Sequence, residues 1–169
     1  MKRKPLRRTA QYRMFKIHIH FILLCLIMLS PGANALGIDD LIAQNQRPAG
    51  VVIEIVSGDR LLLNTLLPDI NEDIQRLRNK YPDLPIAIVT HGQEQFMLTK
   101  NNRSEAEQVH GIVEQLAVKD DIEVHVCGTY ASWFGVSESD FPKYVDVAPA
   151  GPVQINNYEE LGYELITLP

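Results

Sequence analysis

The chain is poor in cysteine: its 169 residues hold two, Cys25 and Cys127. It has one tryptophan, no Cys-x-x-Cys pair, no glycine-rich phosphate loop and no internal repeat. No acidic residue precedes Asp39, while Lys2, Arg3, Lys4, Arg7, Arg8, Arg13 and Lys16 all lie near the start. These absences exclude several classes. A disulfide scaffold needs a dense even set of cysteines, so none is specified. The first β-branched run ends in Ser57-Gly58-Asp59-Arg60, which lacks the repeated glycines of a nucleotide cradle, and no other cofactor motif stands in the chain. With 46% hydrophobic and 22% charged residues, disorder is excluded as well.

The basic start is followed by the apolar run Phe21-Ile-Leu-Leu-Cys-Leu-Ile-Met-Leu29 and then Ala33-Asn34-Ala35. A membrane-spanning helix needs roughly 20 apolar residues. A basic region, a short apolar core and small residues at the peptidase position instead read as a signal peptide over residues 1–35, cleaved after Ala35, with an uncleaved anchor as the alternative. Met14 starts a complete signal peptide as well as Met1 does. Cys25 lies inside the apolar core rather than at a lipidation site, and Arg7-Arg8 is not continued as a twin-arginine signal. The protein is therefore expected in the periplasm or secreted, with no membrane attachment after cleavage.

Removing the leader leaves 134 residues, a one-domain length, with nine basic residues against 21 acidic ones, a formal charge of −12. Scattered basic residues on an acidic chain disfavour nucleic-acid binding, which requires clustered cations to displace counterions. Cys127 is left without an intramolecular partner. An unpaired cysteine in an exported protein is buried and inert, paired between subunits, or a working thiol.

After a lightly structured lead-in at 36–49, apolar patterning alternates between periods of two and 3.6 residues. Strands are expected over 50–56, 86–90, 122–127, 144–148 and 164–168. Helices are expected over 69–80, opened by Asp69 and Glu72, over 104–119, opened by a Ser104 and Glu107 capping box, and over 154–161; Gly128 to Phe134 can begin another. The alternation predicts an α/β fold with a mostly parallel sheet of about five strands covered by helices on both faces. Sites in such sheets lie beyond the carboxyl ends of the strands, where His91 and Cys127 fall. A cysteine opening a helix meets unsatisfied N–H groups, which favour thiolate over thiol, so Cys127 is the candidate nucleophile. His91 is an auxiliary candidate, or a residue that only hydrogen-bonds at a turn. His125, two residues before Cys127 on the same sheet face, reads as structural or solvent-facing. A metal site from His91, His125 and Cys127 lacks the ligand spacing that would specify it. Trp133 and Phe134 read as core or subunit-interface residues.

Val89-Thr-His-Gly92, Val124-His-Val-Cys-Gly-Thr129, Val147-Ala-Pro-Ala-Gly-Pro-Val153 and Asn157-Tyr-Glu-Glu-Leu-Gly-Tyr163, in that order and spacing, resemble the DsrE/DsrF-like family of small sulfur-relay proteins over about residues 50 to 168. The resemblance implies a flavodoxin-like three-layer sandwich, self-association into trimers or hexamers, and a cysteine that in some members carries sulfur as a persulfide; Cys127 stands at that position. Its partners would be thiol or sulfur donor and acceptor proteins. The best-understood relay members act in the cytoplasm, whereas this chain reads as exported. The alternative is a non-catalytic oligomeric binding protein of the same fold.

Overall fold

A computed structural model describes residues 37–168. The expected signal peptide and its cleavage site lie outside the described residues. Within the lead-in, α1 (Ile38–Ala43) buries Ile38 and Leu41. The Tyr81 hydroxyl ties this segment down by donating to the carbonyls of Leu41 and Gln44 at 3.1 and 2.8 Å.

Five strands form one sheet: β1 (Gly50–Ile55), β2 (Ile86–Thr90), β3 (Glu123–Cys127), β4 (Asp146–Ala148) and β5 (Tyr163–Leu168). Their order is β4-β3-β2-β1-β5. Every pairing is parallel, with Val51 opposite Ile86, Thr90 opposite Val126, Cys127 opposite Ala148 and Gly50 opposite Tyr163. The expected α/β sandwich is thus observed. β1, β2 and β3 step outward through α2 (Leu63–Lys80), α3 (Glu107–Val118) and the short α4 (Gly128–Trp133), whose Ala131 joins the large core. After β4 the chain crosses to the opposite face in α5 (Gly151–Glu160) and returns to set β5 beside β1.

The two-residue period of each strand sorts side chains between two cores. Val51, Ile53, Ile55, Ile86, Ile88, Val124 and Val126 meet α2 and α3 in the large core. Val52, Ala87 and Val89 meet Ile155 and Tyr158 of α5 in a small one.

Three helix starts differ from expectation. α5 begins at Gly151 rather than Gln154, with Pro152 in its first turn, where a missing N–H costs the helix nothing. α2 begins at Leu63, not Asp69, and runs through Pro68. Proline costs the helix one backbone bond, but Leu63 and Leu67 are buried on the same stripe as Ile70, Ile74 and Leu77, and their burial holds the extra turns in place. α3 begins at Glu107 behind Ala106 with no side-chain cap, so the Ser104 box does not form. A 3₁₀ turn over Lys100–Asn102 leads in, Ala106 N–H donates to Asn102 C=O, and Ala106 is buried.

Candidate functional site

The site is built where β1, β2 and β3 end. Beyond β2 the chain turns through His91 and Gly92, and Gly92 passes so close to β1's exit that a Cβ there would sit 2.3 Å from the Ser57 carbonyl oxygen. Only glycine allows that approach. Gln93–Leu98 then form a 3₁₀ helix. Its Glu94 is fully buried, and its carboxylate accepts the N–H groups of Gly92 (2.8 Å) and Ser57 (2.9 Å) and the Thr90 hydroxyl. Gln95, also fully buried, accepts the Cys127 N–H through Oε1 at 2.8 Å, while its Nε2 has no partner among the described residues. Gln93 donates from Nε2 to the Tyr130 hydroxyl at 2.9 Å. Three consecutive polar residues thereby fasten the exits of β1, β2 and β3 to one another. No local motif singles them out. The available signal was a polar triplet directly before the apolar Phe96-Met97-Leu98.

Cys127 closes β3 and is the N-cap of α4; its Sγ accepts the Tyr130 N–H at 3.4 Å. The residue is 5% exposed. A Cβ on Gly128 would lie 3.0 Å from Val147 Cγ1 and 3.1 Å from the Ala148 carbonyl oxygen, so the α4 turn rests directly on β4. Thr129 completes the contact by donating its N–H and its hydroxyl to the Pro149 carbonyl. From these two neighbouring strands the chain departs to opposite faces, into α4 after Cys127 and into α5 after Ala150. Such a divergence opens the crevice in which parallel sheets hold ligands.

The β2–β3 register ends with Thr90 opposite Val126, so His91 and Cys127 each follow the last residue paired between these two strands. No hydrogen bond joins the two among the described residues. His91 Nε2 instead meets Glu54 Oε1 at 2.8 Å, and Glu54 Oε2 accepts the Thr167 hydroxyl. The ring lies under the first turn of α5, where a Cβ on Gly151 would approach its Cβ to 2.6 Å. His125 is buried on the same sheet face, so of its two expected settings the structural one is found. Tyr158 donates to Glu123 Oε2 at 2.9 Å and sits 2.7 Å from His125 Nε2, which therefore donates to the phenol oxygen. Burial lowers the His125 pKa, against an opposing pull from Asp146 and Glu123, and burial with the Glu123 hydrogen bond raises that of Tyr158. Both stay neutral near pH 7. His91, His125 and Cys127 do not converge, and no cluster of three His, Cys, Asp or Glu able to hold a metal occurs among the described residues.

Trp133 and Phe134 are 72% and 54% exposed, which removes them from the core. Phe134 meets Phe96 edge-on at 5.1 Å, and the Tyr130 ring lies 5.2 Å from Phe134 and 5.6 Å from Trp133. No helix among the described residues is long and apolar enough to cross a membrane.

No family model matches the chain, and no curated protein does. Among solved structures, the chain is similar to MTH1491 from Methanobacterium thermoautotrophicum, described as a protein of unknown function, with 20% identity over 70% of this chain and 97% of that one and a TM-score of 0.55. It is similar also to the ychN protein of E. coli, with 13% identity over 70% of this chain and 99% of that one and a TM-score of 0.50. Likeness at such identities is a likeness of fold alone, here the parallel α/β sandwich described above.

Proposed function

We propose that the protein is a thiol-based sulfur carrier in which Cys127 holds sulfane sulfur as a persulfide. The observation that supports this reading is the placement of Cys127: its sulfur takes the Tyr130 N–H at the divergence of β3 and β4, and its own N–H is held by the buried Gln95 amide. In the loading step the Cys127 thiolate attacks the outer sulfur of a donor persulfide R–S–SH. The new S–S bond forms on Cys127 as the donor S–S bond breaks, and the R–S⁻ leaving group takes up the proton that Cys127 lost. The exchange needs no oxidant. Cys127 is the only cysteine among the described residues, so discharge waits for an external thiol to attack the stored sulfur. At 5% exposure, attack requires a local opening around the thiol. His91, the auxiliary candidate, is held by Glu54 rather than by Cys127, so an auxiliary role would require its ring to leave that carboxylate. Under this reading residues 1–35 direct export, and the mature chain acts in the periplasm or outside the cell as a trimer or hexamer; N-terminal sequencing and light scattering test those two parts.

The burial of Cys127 favours a second reading, a non-catalytic oligomeric binding protein in which the thiol is a packing residue. Mass spectrometry after exposure to polysulfide separates the two. A carrier gains sulfur that reductant removes and that Cys127→Ser abolishes. A native protein that takes up no sulfur, and whose Cys127 is alkylated only after unfolding, is the binding protein.

A further inference from the structure

We infer that the loops at the carboxyl edge of the sheet form a second site, separate from Cys127, that binds a small organic anion with a flat apolar body. The connections after β1, β2 and β3 enclose an open pocket of about 460 Å³, within the roughly 300–1,000 Å³ usual for small-molecule sites. Phe96 and Phe134, packed edge-on at 5.1 Å, form its apolar wall. Its polar groups divide sharply. Asp140 is committed, since its carboxylate accepts both the N–H and the hydroxyl of Ser137, and the Gln93 amide is committed to Tyr130. Arg60 is not. Of the five arginines among the described residues, Arg47, Arg76, Arg78 and Arg103 each donate to a carbonyl or carboxylate, and Arg60 alone makes no hydrogen bond or ion pair there. With acidic residues outnumbering basic ones 21 to nine over the same stretch, a guanidinium left uncompensated at a pocket rim is a feature that intramolecular pairing could have removed. A planar guanidinium presents parallel N–H donors to a carboxylate, sulfonate or phosphate, and the Asn101 amide on the same rim, also without a hydrogen-bond partner among the described residues, offers a further donor. The aromatic wall selects a flat, apolar remainder.

Calorimetric titration of the full protein with naphthoate and with naphthamide, its uncharged analogue, tests the assignment. Naphthoate is expected to bind about fivefold more tightly than naphthamide, the effect of one partly exposed ion pair. Arg60→Gln removes that preference while leaving naphthamide affinity unchanged, and Phe134→Ala weakens both ligands about tenfold through loss of the ring. Both side chains are exposed, so the variants keep the fold, as unchanged circular dichroism would show. Cys127→Ser leaves both affinities unaltered, which sets this site apart from the carrier reading. Equal affinity for the two ligands in the native protein, a preference that survives Arg60→Gln, absence of naphthoate binding, or loss of binding in Cys127→Ser overturns the inference.

Discussion

The two faces of the sheet are built to different standards. One face is closed by α1, α2 and α3 and carries a continuous apolar core in which Ile53, Ile55, Ile74, Leu77 and Leu116 are wholly buried. The other lies under α5 alone, with Val52, Ala87, Val89, Ile155 and Tyr158 as its apolar contacts. Glu54, His91 and His125 project from the strands onto this second face, each met by a polar partner. A single amphipathic helix cannot exclude water from the whole sheet, so ionisable groups at the margin keep some solvent: the His91 and Glu54 side chains are 15% and 18% exposed. Apolar burial is concentrated on the first face, while on the second the strands themselves present ionisable side chains, each set against a polar partner.

The largest expected effect tests that asymmetry directly. Leu77→Ala should destabilise by about 3 kcal/mol, because a rigid, closed core leaves a cavity that its neighbours cannot fill. Ile155→Ala on the thin face should cost nearer 2 kcal/mol, since the space beneath a single helix can collapse. Urea denaturation measures both; equal costs, or the reverse order, would break the comparison.

Next is the edge that joins the faces. Glu94→Ala leaves the Gly92 and Ser57 N–H groups without their acceptor and should cost about 2 kcal/mol, with loosening of the loop after β2 visible as faster amide exchange at both positions. Unchanged exchange there would show that the carboxylate does not hold the strand exits together.

A smaller effect belongs to the Tyr158 hydroxyl. Tyr158→Phe breaks the chain from His125 to Glu123 and should cost about 1 kcal/mol in the same denaturation assay. Acid sharpens the point. Burial depresses the folded-state pKa of His125 below its ordinary 6.5, so the unfolded chain takes up the proton first. Its contribution is complete above pH 6.5 and is lost as pH falls below that value toward the lower folded pKa. His110, buried between Met97 C=O and the Tyr144 hydroxyl on the first face, shifts in the same direction. His125→Gln should therefore flatten only part of the stability loss between pH 7 and 5; a curve identical to that of the native protein would remove His125 from the account.

The smallest expected change is at the solvent margin. Glu54→Gln keeps a hydrogen bond to His91 and should alter stability by less than about 0.5 kcal/mol. A loss several times larger would mean that the pair is closed to water, and that the second face is better sealed than its single helix implies.

The strands, their parallel arrangement and the position of Cys127 at the end of the third one were legible in the sequence, because β-branched runs and apolar periods are local signals that neighbouring residues carry between them. The same locality explains the misses. Asp69 and Glu72 had the residues of a helix start, but α2 begins six residues earlier, because the burial of Leu63 and Leu67 outweighs the bond lost at Pro68. Ser104 had the residues of a cap, but packing of Ala106 moved the helix start past it. At the site, the sequence placed His91 and Cys127 at one sheet edge. It did not show that His91 turns to Glu54, 37 residues away, that Gln95 reaches across 32 residues to the Cys127 N–H, or that the thiol is nearly covered. A buried polar group must find a partner wherever the fold brings one, and no local pattern encodes which residue that will be. Periodicity set the layers of this protein; the pairings that decide its edge chemistry exist only once the five strands are side by side.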